Sequence, residues 1–134
     1  AQCLVGSEMC IRDRLNALVA ANDVIIPIKA DKNALDGMEE LTEVIEEVRP
    51  YNPGLSMVKC LVTMFTNDIE VVKGEEALQK STYSTFYTHI RHSKKVNAWT
   101  FEKGKSLVEV TPKSAATRDY KNLALEYMDL TKGA

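Results

Sequence analysis

Apolar residues recur along this chain with two different spacings, and the alternation between them predicts an α/β domain. Asp23–Ile28 and Met57–Phe65 are almost wholly apolar, which is typical of strands buried on both faces of a parallel sheet. From Asn33 to Arg49 the apolar side chains lie three and four residues apart with glutamates opposite, which predicts an amphipathic helix. A strand, a crossover helix and a second strand form a right-handed unit whose strands are parallel.

Weaker patterns predict further elements of the same kind. Residues 15–21 resemble the last turns of a helix, and Val71–Lys80 predicts another helix, which Gly74 weakens. Thr85–Ile90 is rich in β-branched and aromatic residues and predicts a third strand. Pro27 cannot donate a ladder hydrogen bond, so we expect it at the end of its strand.

The last third of the chain is predicted to be irregular until its final helix. Arg91–Lys105 is basic and has no clear period, and Leu107–Val110 predicts a short extended piece. Ser114 stands where an N-cap is expected for the last helix. The apolar face predicted for that helix consists of Ala116, Tyr120, Leu123, Ala124, Tyr127 and Met128. The predicted fold class is therefore α/β, with helices flanking a mainly parallel sheet.

Residues 1–14 have a pattern unlike that of the rest. Leu4–Asp13 show neither a sustained helical period nor strand alternation, and they resemble a sequencing adaptor translated in one frame. We therefore expect residues 1–14 to be a non-native leader, and residues 15–134 to be part of a domain whose N-terminal strands are missing. The alternatives are a disordered terminus or a targeting peptide, although charged and polar residues interrupt the apolar stretch that a secretory signal needs.

Composition and charge narrow the class of protein. At 134 residues and 45% hydrophobic content, the chain can form one domain at most. No apolar run approaches the ~20 residues that span a bilayer, so we expect a soluble protein without a membrane partner. Cys60 is the only cysteine after residue 14, which favours a reducing cytoplasm over a disulfide framework. The net charge of −2 hides an asymmetry, since acids predominate from residue 31 to 49 and bases from 89 to 105.

The chemistry of a parallel sheet is expected outside the carboxyl ends of its strands, here residues 27–29, 65–67 and 90–93. The sequence contains neither a G-x-x-x-x-G-K-[ST] loop nor a G-x-G-x-x-G loop for phosphate. His89 and His92 are three residues apart, a spacing that can hold a metal on a helix. They straddle a predicted strand end and have no third ligand, so structural or loop histidines are favoured and we expect no metal site.

Several blocks, taken in order, resemble the ParA/Soj partition ATPases, from the MinD-like branch of P-loop NTPases with a deviant Walker A motif. The resemblance extends from Leu15 to Met128. It is carried by Asn16–Ile28, Ala34–Leu41, Leu61–Phe65, Thr88–Arg91, Pro112–Ala116 and the pair Asp119-Tyr120. It implies a partial P-loop NTPase fold.

The resemblance also implies what the chain lacks. In that family the Walker A lysines, the magnesium ligand and the Walker B aspartate precede the first of these blocks, so we expect no ATPase activity from this chain and no tight binding of ATP or Mg²⁺. The intact parent is expected to use ATP and Mg²⁺, to dimerise around ATP and to bind non-specific DNA. With a ParB-like partner, it would partition plasmids or chromosomes on the nucleoid of a bacterial cytoplasm.

By the same resemblance, an adenine base is expected near Thr63, Arg91, His92 and Ser93. Thr63 aligns with a position near the adenine in related ATPases, but a strand threonine that simply fills the pleat is the commoner case. For Arg91 a ligand contact and a surface role are equally open, because ligand contacts concentrate in loops at the carboxyl ends of strands.

The resemblance assigns DNA binding to the basic stretch. Lys95 matches a family position that carries a DNA-binding base, and Lys94, Lys103 and Lys105 would extend the patch. Phosphate contacts need charge without base-reading geometry, so such binding should weaken steeply with salt. Each lysine could equally be a solvated surface residue.

Two other classes of protein stay open. A MinD-like membrane ATPase would need an amphipathic basic helix at its C-terminus, and residues 129–134 are too short and mixed to supply one. A free-standing α/β binding module without nucleotide chemistry is the other. A K-G-G-x-G-K-[ST] loop in the upstream gene sequence would favour the ATPase over the module.

Overall fold

The structure is a computed structural model that describes residues 8–81 and 83–132, and its elements follow the predicted α/β order. The strands are β1 (Asp23–Lys29) and β2 (Met57–Thr63). The helices are α1 (Glu8–Ala20), α2 (Lys32–Val48), α3 (Ile69–Gln79), α4 (Lys94–Trp99), α5 (Leu107–Val110) and α6 (Ala115–Thr131). A 3₁₀ turn at Arg49–Tyr51, which contains Pro50, ends α2. Within the described ranges, no helix has the length and apolar character needed to cross a membrane.

The predicted β-α-β unit is present. β1 and β2 are parallel and in register, from Asp23 opposite Met57 to Lys29 opposite Thr63. The expectation that Pro27 ends its strand is wrong, because it lies opposite Leu61 and the strand continues to Lys29. Among the described residues β1 is paired on one side only, and an edge strand tolerates a proline because the missing N–H can face outward.

The third strand predicted at Thr85–Ile90 lies at the expected position beside β2, but it does not form a regular strand. Residues 84–92 run beside β2 and are joined to it by isolated parallel bridges, not by a continuous ladder. The Phe86 N–H donates to Cys60 O and the Ile90 N–H donates to Val62 O, both at 2.9 Å. Between these two hydrogen bonds the segment therefore advances by four residues, while β2 advances by two.

A second irregularity lies on the β2 side of the same pairing. The carbonyl of Ile90 accepts from Phe65 N (2.9 Å), and Met64 is skipped. Met64 has φ 52°, in the left-handed region that few residues other than glycine adopt. One residue that is skipped in this way forms a bulge, which bends the strand and interrupts its regular pairing. β2 consequently ends at Thr63, two residues before its predicted end.

The two faces of β2 serve two separate cores. On one face Val58, Cys60 and Val62 join the main cluster, which includes Leu18 of α1, Met38 and Ile45 of α2, and Leu78 of α3. On the other face Leu61 packs with Phe86 and Ile90, and these contact Leu123 and Tyr127 of α6. The prediction that both strands are buried on both faces is wrong for β1, since Ile25 is 40% exposed.

Gly74 has a packing role that the low helix propensity of glycine does not indicate. It lies in the middle of α3 and is buried, and a Cβ built there would lie 2.7 Å from the carbonyl oxygen of Ala30. The missing side chain therefore lets α3 approach the end of β1 closely. The predicted helix at Val71–Lys80 is confirmed and begins two residues earlier, at Ile69.

Two other predictions need correction, and the first helix begins earlier than the sequence pattern indicates. The chain is helical from Glu8, although Leu4–Asp13 carry no helical period; residues 1–7 lie outside the described residues. The basic stretch contains α4, and Leu107–Val110 is the helical turn α5, closed by a capping box between Ser106 and Glu109. Both helices are too short for a hydrophobic period to develop, so caps and not periodicity mark them.

The last helix begins as predicted. Ser114 Oγ accepts from Thr117 N (3.1 Å), so this serine is the N-cap of α6. The predicted apolar face is only partly buried, because Leu123 and Tyr127 contact the second core while Tyr120 and Met128 are 44% and 48% exposed.

Candidate functional site

The candidate site lies where β2 and the segment beside it both end. Here the bulge at Met64 bends the strand, and the Phe65 carbonyl accepts from His92 N (2.9 Å). Carboxyl ends of parallel strands are where open sheets bind ligands. A residue held in the left-handed region stores strain that often accompanies a functional site. The bulge therefore lies at the edge of the sheet where a ligand site is expected.

A bidentate ion pair fixes the arginine of the site. Arg91 Nε donates to Asp119 Oδ2 and Arg91 Nη2 donates to Asp119 Oδ1, both at 2.9 Å. The Arg91 backbone N–H donates to the same Oδ2 at 3.0 Å. The Asp119 side chain is 8% exposed and that of Arg91 is 43% exposed. A planar guanidinium held by both carboxylate oxygens has little freedom to turn.

Both groups of the pair have perturbed pKa values. Burial alone would raise the pKa of Asp119, but hydrogen bonds from Arg91 and its positive charge outweigh burial and hold that pKa below the ordinary value. The hydrogen bonds to Asp119, followed by its negative charge, raise the pKa of Arg91. The pair is thus doubly ionised at neutral pH.

All four residues predicted to be near an adenine line one small pocket of about 160 Å³; they are Thr63, Arg91, His92 and Ser93. The remaining wall consists of Met64, Ile90, Val96, Asn97 and Tyr120. Ligand pockets that enclose a whole drug-sized molecule measure roughly 300–1,000 Å³. A pocket of this size, with both apolar and polar walls, suits a single flat ring system.

The four predicted residues differ in how they are held. Thr63 Oγ1 makes a long contact with Ile28 O (3.5 Å), so this hydroxyl is only weakly engaged. Ser93 is the N-cap of α4, because its Oγ accepts from Lys95 N (3.3 Å). The His92 side chain is exposed, whereas Arg91 is fixed by Asp119. Arg91 is the most firmly oriented of the four.

A separate groove lies on the other side of Arg91. It has a volume of about 530 Å³ and includes Phe65, His89 and Asp119. The His89 ring stacks on Phe65 with 3.7 Å between ring centroids, and its Nδ1 lies 3.1 Å from Glu75 Oε1. These contacts give His89 a structural role. Within the described part of the chain, no group of three or more His, Cys, Asp or Glu side chains could hold a metal ion.

Another groove lies at the amino end of the sheet, opposite to the end where ligands are expected. It measures about 590 Å³ and includes Asp23, Ser56 and Lys59, which lie at or near the strand starts. The hydroxyls of Tyr127 and Ser56 donate to Asp23, at 2.7 and 2.8 Å, and tie α6 to the amino end of β1. Because ligands of open parallel sheets bind at the carboxyl ends, the smaller pocket at Arg91 is the better candidate.

The basic residues form a strip along α4 and the turn after it. Lys94 and Lys95 begin α4, while Lys103 and Lys105 follow it, and all four are exposed. Trp99 Nε1 donates to the Lys105 carbonyl at 2.8 Å, which closes the turn, and Gly104 takes φ 72° within it. Among the residues described, none of the four lysines forms an ion pair. Their charges are therefore free to act on a polyanion.

Sequence reasoning missed the two acidic residues of α6 that support this site, Asp119 and Glu126. In the sequence, Asp119 stands out only as part of the pair Asp119-Tyr120. A usable signal was present, since Ala116, Asp119 and Leu123 fall at helical spacing and an acid on the buried face of a helix requires a partner. The sequence does not indicate that this partner is Arg91.

The side chains of the candidate site could accommodate one part of a nucleotide, its base. The pocket at Arg91 suits a base, whereas the sequence has no phosphate-binding loop and the described residues contain no candidate ligand set for a metal ion. A parallel β-α-β unit with flanking helices and a pocket at its carboxyl edge defines an α/β protein, and this arrangement is consistent with a partial P-loop NTPase fold.

Comparison with known proteins shows which proteins of this class the chain resembles. The chain is 35% identical over 118 residues to the chromosome-partitioning ATPase Soj of Thermus thermophilus, in a match that covers 85% of the chain and 47% of Soj. It is 46% identical over 52 residues to the chromosome partitioning protein ParA of Myxococcus xanthus, covering 38% of the chain and 18% of that protein. No protein-family model matches the chain. The chain is therefore similar to ParA/Soj partition proteins over most of its own length, and it spans less than half the length of these relatives.

Proposed function

We propose that this chain supplies the base-binding pocket and part of the DNA-binding surface of a ParA-type partition ATPase. The intact protein would dimerise around ATP and Mg²⁺ and bind non-specific DNA. With a ParB-like partner, it would segregate plasmids or chromosomes in the bacterial cytoplasm. The observation that supports this most is the pocket that gathers Thr63, Arg91, His92 and Ser93 beside the fixed Arg91–Asp119 pair.

The base-binding part is tested with adenosine, which needs no phosphate loop. Titration of the isotope-labelled chain should shift the amide resonances of Met64, Ile90 and Ser93 in a saturable way and with weak affinity. Val96→Phe fills the pocket and should abolish the shifts. Val108→Phe, in α5 and outside the pocket, is the matched control and should leave them intact. Equal shifts in both variants would place the adenosine elsewhere and refute the assignment.

The DNA-binding part rests on the four exposed lysines along α4 and its following turn. Removal of one phosphate contact should reduce the slope of log K against log salt by roughly 0.9, so a variant with all four lysines changed to glutamine should have a slope smaller by about three to four units. The affinity of a random-sequence duplex is measured by fluorescence anisotropy.

The matched control removes the same number of charges from other exposed positions. These positions are Lys32, Lys73, Lys80 and Lys113. Their substitution by glutamine should change the slope little, because net charge alone does not create a contact. Equal reductions in the two variants would show that binding follows net charge and not this strip.

We further propose that the chain by itself hydrolyses no ATP, because it contains no phosphate-binding loop. Magnesium-dependent ATP turnover by the purified 134-residue chain, at a level above a mock preparation, would contradict this proposal. Sequencing upstream in an independent clone should reveal a K-G-G-x-G-K-[ST] loop. Its absence would favour a binding module without nucleotide chemistry.

A further inference from the structure

Two carboxylates of α6 reach the same loop from one face of the helix. Asp119 and Glu126 are seven residues apart, which is close to two helical turns. Glu126 accepts from the backbone N–H groups of Tyr87 (2.7 Å) and Thr88 (2.9 Å), one on each oxygen. Asp119 accepts from the backbone and the guanidinium of Arg91. We call residues 87–91 the clamped loop, because α6 holds both of its ends.

The irregular pairing beside β2 explains why the loop needs this support. The N–H groups of Phe86 and Ile90 donate to Cys60 O and Val62 O, which are neighbouring acceptors along the same edge of β2. The residues between Phe86 and Ile90 therefore have no place in the ladder. The amide of half-buried Thr88 would cost free energy without an acceptor, whereas Tyr87 is 91% exposed. The carboxylate of Glu126 accepts from both amides in charge-assisted hydrogen bonds, which are stronger than bonds to a neutral acceptor.

The second carboxylate changes what Arg91 can do. Asp119 takes up Nε and Nη2 of the guanidinium and compensates its charge, while Ala115 O lies 3.5 Å from the same Nη2. A compensated, immobilised guanidinium presents a flat face and has little remaining attraction for a phosphate. Such a plane suits stacking or edge contact with an uncharged ring.

We propose that Asp119 and Glu126 are positioning residues that hold the clamped loop so that Arg91 meets a nucleotide at its base and not at its phosphates. This inference rests on the base pocket proposed above and assigns its selectivity to α6. It predicts that the chain distinguishes poorly between adenosine and AMP, and that this indifference depends on Asp119.

The first experiment compares adenosine with AMP by titration of the labelled chain. The unsubstituted chain should bind the two with similar affinity. Asp119→Asn keeps the shape of the side chain but frees the positive charge of Arg91. Adenosine affinity should then fall roughly tenfold, while the preference for AMP over adenosine rises several-fold. Asp129→Asn, at an exposed acid on the same helix, is the control and should change neither.

The ratio of the two affinities separates positioning from structural support. If Asp119 only stabilises the fold, both affinities should fall together, and an unchanged ratio would overturn the proposal. Asp119→Glu keeps the charge and should restore the low preference for AMP. Failure of this variant to restore it, with the fold intact by circular dichroism, would also count against the proposal.

A second experiment needs no ligand. Glu126→Gln replaces a carboxylate that accepts twice by an amide with one acceptor oxygen, so hydrogen exchange at the Tyr87 or Thr88 amide should accelerate about tenfold or more. The Arg91 Nε–H resonance should shift or broaden in Asp119→Asn. If these ligand-free effects appear but no chain binds adenosine, the clamp exists and the base pocket is wrong. If exchange and the Arg91 resonance are unchanged, the clamp itself is refuted.

Discussion

Gly74→Ala should destabilise the fold, although alanine is the better helix former. A methyl group at Gly74 would lie 2.7 Å from Ala30 O, 3.0 Å from Ala30 C and 3.2 Å from Ala30 Cβ. The two nearest atoms belong to the backbone at the end of β1, so no side-chain rotation can relieve the contact. Either α3 or the chain at Ala30 has to move.

The sign of the effect follows from two opposing magnitudes. Overpacking of a core contact costs about 1–3 kcal/mol, and a contact with a carbonyl oxygen at this distance belongs in the upper half of that range. Helix propensity returns about 1 kcal/mol when alanine replaces glycine. The free energy of unfolding should therefore fall by about 1–2 kcal/mol.

Gly37 provides the matched control, since it also lies inside a helix, α2, and its added Cβ would meet nothing within 4 Å. Gly37→Ala should raise the free energy of unfolding by roughly 0.5–1 kcal/mol, because only the propensity term acts. Urea denaturation followed by circular dichroism gives both values, and an unchanged m-value would show that the two-state comparison is valid.

Two results would refute the reasoning about Gly74. If Gly74→Ala and Gly37→Ala stabilised the protein to the same extent, α3 would not approach Ala30 closely. If Ala30→Gly restored the stability of Gly74→Ala fully, the conflict would be between two Cβ atoms, and the carbonyl at 2.7 Å would not be its source.

Three further predictions use other contacts of the same fold. Asn52→Ala should lower the free energy of unfolding by about 1–3 kcal/mol, because one side-chain amide donates to the C-terminal carbonyls of Leu18 and Ala21; exposed Asn33→Ala in α2 should change it little. Urea titrations of both variants provide the comparison. The folded-state pKa of Asp119 is depressed, so its ionised form stabilises the protein at neutral pH. The stability advantage of the unsubstituted chain over Asp119→Asn should therefore shrink as the pH falls through 3.8, the carboxyl's ordinary pKa, towards the folded value; an advantage that grew on acidification would contradict this sign. Met64→Gly should leave the free energy of unfolding unchanged or raise it by up to about 1 kcal/mol, because it relieves a left-handed residue whose side chain is half exposed. A decrease well above about 1 kcal/mol in urea would show that the Met64 side chain matters more than its backbone strain.

The periodic elements could be predicted from the sequence because burial dictates their pattern. α2 carries apolar residues at helical spacing over four turns, and its prediction was correct to within one residue at each end. β1 and β2 could be placed by their apolar runs, since few other elements of that length are so uniformly apolar. The predicted crossover then required the observed parallel pairing.

The short elements could not be predicted in the same way. α4 and α5 are shorter than two helical turns, so caps and tertiary contacts decide their conformation. Two of those contacts are the Trp99 hydrogen bond to Lys105 and the capping box at Ser106. The spacing of Tyr120 and Met128 fits the buried face that was predicted for α6. The chain places no described element over them, and spacing alone does not reveal which side of a helix finds a partner.

The irregular third strand joins the fold to the candidate site. Its β-branched and aromatic composition places it correctly beside β2, but composition does not reveal that both partners carry extra residues. Met64 is skipped on one side and residues 87–89 are skipped on the other, and the pairing resumes at Phe65, which bonds with Ile90 and His92. Arg91 lies opposite Phe65 in this pairing, and its backbone N–H donates to Asp119 on α6. The acids of α6 therefore accept from the amides of Tyr87, Thr88 and Arg91, which the irregular ladder leaves without a backbone partner.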